Sequence, residues 1–178
     1  MATVNVTNYG ATPDDSTDDT QAIRDAANAA GSNGEVYFPS GTYQLGEGGS
    51  NRFPLEFPTD GSWDGITWRG EDSASTTLKM ADGMSGFFAM FYRSDSDPRI
   101  GNVTIKNLEL DLNKQNQGDI GSHALQIDSG DGLLTMRDCV IRNTMNSTIN
   151  IRDAMDQDIQ YCEFYDNGDD DTAGHDIN

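Results

Sequence analysis

The side chains of this 178-residue chain best equipped for chemistry lie at its end, in "DNGDDDTAGHDIN". Asp166, Asp169, Asp170, Asp171, His175 and Asp176 gather carboxylates and an imidazole into one short run. Paired carboxylates, one as acid and one as base, are what hydrolysis of a glycosidic bond requires. A solvated corner loop of a very acidic protein would read the same way. A basic residue on a strand is the other kind of group that could move a proton. Arg142 is the candidate there, with Arg137 and Arg152 also on or near apolar runs. Outward arginines on strands are equally ordinary surface.

Calcium takes hard oxygen ligands, which Asp clusters supply. "DSGDG" and "DNGDDD" make Asp128, Asp131, Asp166 and Asp169 candidate ligands, although neither run completes an EF-hand loop or the nonapeptide calcium repeat. No cofactor is required by the sequence, and Ca2+ is the one cofactor it would accommodate. The two cysteines, Cys139 and Cys162, form no CxxC or Cys/His zinc pattern. With only two histidines, a metalloenzyme or a Ser-His-Asp triad is not expected.

The elements that must position these residues are short strands in repeats. "TIKNLELDLN", "TMRDCVIRNT" and "DIQYCEFYDN" align with offsets of 31 and 23 residues. The alignment matches Ile105 with Met136 and Ile159, Leu108 with Cys139 and Cys162, and Leu110 with Ile141 and Phe164. Further short runs follow each segment, "HALQI", "STINI" and "HDIN"; "GITWRG", "TTLKM" and "FFAMF" supply earlier turns. Short apolar strands, Asn/Asp/Gly corners and an irregular period of roughly 20–30 residues predict a parallel β-solenoid. A β-sandwich is the alternative, disfavoured by the matched repeats. Cys139 and Cys162, one coil apart, should then stack in the core as small apolar groups, a disulfide requiring a suitable Cβ approach.

Before the repeats, Val4 and Val6 alternate with polar residues as a short strand. Asp19 to Ala30 has helical apolar spacing, with Asp18 as the expected N-cap and Gln21 completing a capping box. Gly31 suits the helix end. "EVYFP" and "GTYQL" read as strands around a turn at Pro39 to Gly41.

Composition narrows the function. The net charge is −19, from 30 acidic and 11 basic residues. Asp outnumbers Glu 24 to 6 and Lys occurs only 3 times, a bias expected of a high-salt environment, a haloarchaeon or its virus, where salt screens the self-repulsion. Such a surface repels nucleic acid and anionic membranes. The longest apolar patch, "GFFAMFY", is far too short to span a bilayer, so no membrane insertion is expected. The first ten residues lack a charged start and an apolar run, so no export signal is expected there.

"VNVTNYGATPDDSTDDTQAIRDAANAAGSNGEVYFPSGTYQL" resembles the N-terminal signature of the pectate-lyase-like superfamily of right-handed parallel β-helix proteins. The match rests on Tyr9, Gly10, Ala11, Asp18, Asp19, Thr20, Ala22, Ile23, Val36, Phe38, Pro39, Gly41, Thr42 and Tyr43. The resemblance implies an all-β chain, a right-handed parallel β-helix with a short N-terminal α-helix capping the mouth of the core. Residues 1–178 would form one domain, with 1–45 holding the strand, cap and first coil and 46–178 the further coils. Asp18, Gln21, Gly41 and Tyr43 then have structural roles. The signature covers lyases, hydrolases, epimerases and phage tail spikes, among which a fold alone cannot choose. In polygalacturonase-like members the paired Asp and the Gly-His lie about a coil apart, whereas here they share one loop, so no catalytic role carries over.

Three expectations remain. One is a tail-spike- or fibre-like virion protein of a virus of a halophilic archaeon, extracellular, binding a cell-surface polysaccharide or glycoprotein, and forming a homotrimer or contacting other virion proteins. Another is a secreted polysaccharide lyase or glycoside hydrolase of a haloarchaeon. The last is a non-catalytic surface adhesin. The repeat stops at "GHDIN" with no cap, so a longer chain, or another chain covering that end, is expected.

Overall fold

The computed structural model describes residues 2–46, 52–84, 86–95, 99–118, 121–153 and 155–168. In chain order the elements are β1 (Thr3–Asn5), β2 (Asp14–Asp18), α1 (Thr20–Ala30), β3 (Glu35–Phe38), β4 (Gly41–Leu45), β5 (Leu55–Glu56), β6 (Thr67–Gly70), β7 (Thr76–Met80) and β8 (Phe88–Arg93). There follow β9 (Val103–Lys106), β10 (Glu109–Asp111), β11 (Ser122–Ile127), β12 (Leu133–Arg137), β13 (Val140–Arg142), β14 (Ile149–Ile151), β15 (Asp156–Gln160) and β16 (Glu163–Tyr165). They wind into three sheets: A (β1-β3-β6-β9-β12-β15), B (β2-β4-β7-β10-β13-β16) and C (β5-β8-β11-β14). Every strand pair is parallel. This is the parallel β-helix expected, wound right-handed as parallel crossovers of L-residues almost always are.

The repeats set the register. Met136 pairs with Ile105 on one side and Ile159 on the other, as the sequence alignment requires. Ile141 sits between Leu110 and Phe164 in the same way. Inward columns result: Val36, Trp68, Ile105, Met136 in sheet A; Tyr43, Leu78, Leu110, Ile141 in sheet B; Leu55, Phe91, Leu125, Ile149 in sheet C. All twelve are fully buried. Each such side chain contributes about 1.5–3 kcal/mol by leaving water, and no coil could bury them without its neighbours. Between sheets A and B the chain turns at Asn107, Asp138 and Tyr161, one per coil, with φ of 56°, 52° and 57°. Asn and Asp tolerate this left-handed geometry, which explains the polar corners. Cys139 is buried and Cys162 half-buried one coil on; both thiols are free.

Helix α1 closes the N-terminal mouth. Ile23, Ala26 and Ala27 are fully buried against β1 and β3, so the small-residue face does lie on the end of the core. The cap differs from expectation. Asp19, not Asp18, holds the N-cap position, and its side chain makes no cap bond. Asp19 Oδ1 instead accepts from the Thr12 amide at 2.6 Å, and its desolvated carboxyl is pushed up to about 6. Asp18 ends β2 and accepts from the Thr20 amide at 3.0 Å. Gln21 donates to Asp25 at 2.9 Å, so no capping box forms. Two adjacent aspartates offer the helix equal caps, and β2, an unexpected strand paired with β4, decides between them by fixing Asp18 in extended backbone. Gly41, at φ 139°, is needed as expected: a Cβ there would lie 2.2 Å from the Pro13 side chain. Tyr43 is buried and donates to the Pro39 carbonyl at 3.0 Å.

Candidate functional site on the outer face of sheet C

Of the residues picked out for chemistry, Asp169, Asp170, Asp171, His175 and Asp176 lie outside the described residues. Arg142 is described, and it is committed to its neighbours. On the outer face of sheet B its Nε donates to Glu109 Oε1 at 2.8 Å, and its Nη2 lies 3.1 Å from Asp111 Oδ2. Asp111 is itself held by the Asn113 amide and by Asn143 Nδ2. Sheet A is similar: Glu35 faces Arg69 at 3.1 Å and Lys106 at 3.5 Å, and Arg137 pairs with Asp158. These side chains are tied to one another in ion-pair networks.

The described calcium candidates, Asp128, Asp131 and Asp166, do not converge on a metal site. Asp128 accepts from Gln126 Nε2 at 2.9 and 3.0 Å and faces Arg152 at 3.4 Å. Asp131 is exposed at the next corner and Asp166 is an exposed left-handed corner residue. Among the described residues no group of three or more His, Cys, Asp or Glu is placed to hold a metal.

Sheet C is built differently. Its outward column runs Glu56, Tyr92, Gln126, Asn150, one residue per coil in register. Neighbouring strands lie about 4.8 Å apart, so these four form a straight polar ladder along the solenoid. Beside it stands a group of rings. Phe53 stacks on Tyr92 with centroids 4.0 Å apart and planes at 19°. Phe87 lies 6.1 Å from Phe53 and meets His123 edge-on at 5.3 Å. Phe53, Phe87 and Tyr92 are each only partly buried. Arg52 sits over Phe53, 5.9 Å from the ring centroid.

The polar atoms of this face are only partly matched. Gln126 Oε1 is buried and has no hydrogen-bond partner among the described residues. An acceptor in that state costs about 1–3 kcal/mol unless something donates to it. Arg152 leaves 63 % of its side chain exposed while touching Asp128. The Tyr92 hydroxyl is raised above its ordinary range by burial and by the nearby Asp128 and Glu56 carboxylates, so it is a hydrogen-bond donor at neutral pH. His123 is held below its ordinary range, burial outweighing its close contact with the Ser147 carbonyl. Its Nε2 faces Asn150 Nδ2 at 3.5 Å. The result is a strip of aromatic faces flanked by amides, a carboxylate and an arginine, the mixture that suits a ligand with apolar C–H faces and many hydroxyls. Of this group the sequence singled out only Asp128 and Arg152, as a calcium ligand and a basic residue, and not the rings or the amides. The one signal was "GFFAMFYR", in which Phe87 and Tyr92 flank core residues.

Fold and face together define a capped parallel β-helix that carries a polar-aromatic strip on the outer face of sheet C. Residues 3–153 match the family model described as rhamnogalacturonase A/epimerase, pectate lyase-like, and the chain belongs to that family. It is 35 % identical over 118 residues to mannuronan C5-epimerase AlgE3 of Azotobacter vinelandii, a match covering 63 % of this chain and 6 % of that protein. Among solved structures it is similar to the ORF18 protein of Geobacillus virus E2, with a TM-score of 0.57, 26 % identity, and coverage of 83 % of this chain and 27 % of that one. It is also similar to the A-module of mannuronan C-5 epimerase AlgE4 of Azotobacter vinelandii, with a TM-score of 0.50, 25 % identity, and coverage of 83 % and 45 %. The chain therefore spans only a small part of the length of the curated relative and less than half of either solved structure.

Proposed function

We propose that the outer face of sheet C binds a cell-surface polysaccharide, and that the chain is the glycan-binding β-helix of a tail-spike- or fibre-like virion protein from a virus of a salt-loving host. The observation that carries the reading is the Phe53–Tyr92 stack beside the Gln126–Asp128–Arg152 chain, with Arg152 largely exposed at its end. A sugar ring stacks its C–H face on an aromatic ring and exchanges hydrogen bonds with exposed polar groups such as Glu56 and Arg152. The similarity to a viral protein supports the virion setting, and the Asp-rich, Lys-poor surface supports the saline one. In this reading the working protein is a closed homotrimer. A molar mass of one chain by light scattering in molar NaCl would contradict that part.

The binding test is a glycan array probed in molar salt with the wild-type protein and Tyr92→Ala. The reading expects the wild type to bind a defined set of glycans and the variant to lose them. Wild-type binding that Tyr92→Ala leaves intact would sink it. A second reading, an enzyme acting on uronate polymers, is favoured by the similarity to an epimerase. Arg152 would then meet the sugar carboxylate, and Tyr92 and His123 would be the proton-handling groups. Ultraviolet absorbance from a new carbon–carbon double bond, or a change of sugar configuration by NMR, on incubation with a polyuronate would favour that reading over simple binding.

A further inference from the structure

A cleft lies at the capped end of the solenoid, between α1 and the segment after β5. It has a volume of about 500 Å³ and is lined by Gln21, Arg24 and Asn28 on one side and Glu56, Asp60 and Trp63 on the other. That volume falls in the range of small-molecule sites. Gln21, Arg24 and Asn28 are spaced three and four residues apart, so they share one face of α1. That face is the helix's outer side, because Ile23, Ala26 and Ala27 are buried in the core. The cleft and the sheet C strip are continuous: Glu56 lines the cleft and is also the first rung of the outward ladder, in register with Tyr92.

We infer that this cleft is a terminal subsite for the end of a polysaccharide chain lying along sheet C, and that it takes a neutral, hydroxyl-rich sugar. The inference rests on the glycan-binding reading of that sheet. Geometry argues for an end. A chain lying on the ladder and running toward the N-terminus meets α1, which closes the solenoid and blocks further passage. Arg24 argues for a built site. Its Nε donates to the Pro54 carbonyl at 2.6 Å and its Nη2 to the Phe53 carbonyl at 2.8 Å. These bonds fix the guanidinium and leave Nη1 without a hydrogen-bond partner among the described residues. Among the described residues Arg24 is thus held by backbone carbonyls rather than by a carboxylate. The floor is fixed as well: Trp63 is 2 % exposed and donates its indole N–H to Asn28 Oδ1 at 2.9 Å.

Charge argues for a neutral sugar. One guanidinium and two carboxylates, Glu56 and Asp60, line the cleft, so a uronate or sulfate here would meet more repulsion than attraction. A pair of hydroxyls suits the same set, donating to a carboxylate and accepting from Arg24 Nη1.

The test fills the cleft without touching the strip. Thr59 is exposed at its rim, and Thr59→Trp occupies the space from one wall while Gln21→Trp occupies it from the other. The probes are defined oligosaccharides of graded length, neutral and acidic, each with a fluorophore at one chain end or the other. Binding is measured for the wild type, both tryptophan variants and Tyr92→Ala, with thermal unfolding as the fold check. The expected result is a loss of at least tenfold in affinity in both folded tryptophan variants, and wild-type binding that is abolished when the label sits at one particular end. Loss of binding in Tyr92→Ala with full affinity and no end preference in both tryptophan variants would overturn the terminal subsite and leave the sheet C reading standing. Absence of binding by the wild type to every probe would overturn both.

Discussion

Sheets B and C are laid on the same coils, share the same core and have opposite exteriors. On sheet B the outward residues satisfy one another: Arg142 bridges Glu109 and Asp111, and Asn143 and the Asn113 amide take up Asp111. On sheet C the outward residues are rings, amides and one loosely held arginine, with a buried acceptor left unmatched. A parallel β-helix separates stability from recognition. Inward residues decide whether coils stack, and outward residues are free to be either closed or available.

That contrast can be broken most forcefully from inside. Leu78→Ala in sheet B and Leu125→Ala in sheet C both remove a fully buried side chain. Each should cost about 2–5 kcal/mol, measured by denaturant unfolding in high salt. Similar losses fit a shared core; a large loss on one sheet alone would mean that the sheets are not equivalent supports. Next comes Arg142→Ala, which leaves Glu109 and Asp111 facing each other. Its side chain is 33 % exposed, so solvent screening reduces the effect to about 1–2 kcal/mol of stability, with glycan binding unchanged. Tyr92→Ala should do the reverse. Stability falls by less than from a core truncation, while glycan affinity drops about tenfold, on the order of 1.4 kcal/mol.

The smallest effect concerns the cap beneath the cleft. The Asp19 carboxyl is raised to about 6 by desolvation. A carboxyl raised in the fold favours folding when protonated, so this contribution is full below about pH 4 and is lost as pH rises through about 6. Asp19→Asn keeps an oxygen for the Thr12 amide and cannot ionise. It should match wild-type stability near pH 4 and exceed it by about 1 kcal/mol at pH 7. Equal unfolding midpoints at both pH values would show that Asp19 is not desolvated.

The fold was legible because inward residues repeat. Ile105, Met136 and Ile159 occupy one column, and any shift by one residue would turn apolar side chains to water. The N-terminal signature named the cap for the same reason: Ile23, Ala26 and Ala27 must be apolar and mostly small. The site was not legible in this way. Phe53, Tyr92, Gln126 and Asn150 come from four successive coils joined by loops of unequal length, and nothing in their sequence spacing brings them together. Charge misdirected attention too. Aspartate runs catch the eye in a sequence, yet Asp131 and Asp166 prove to be exposed corner residues, and Arg142 is tied to Glu109 and Asp111. The exact cap was missed for a local reason, since "DD" before Thr20 offers two equivalent caps and strand β2 makes the choice.

The most direct test of the account is to map a bound oligosaccharide by NMR, using the tightest glycan found on the array and the backbone and side-chain amides of the isotope-labelled protein. Shifts concentrated at Phe53, Tyr92, Gln126 and Asn150, with Glu109 and Arg142 unmoved, are the predicted result. Shifts concentrated on the Glu109–Arg142 face, with Gln126 and Asn150 silent, would contradict it.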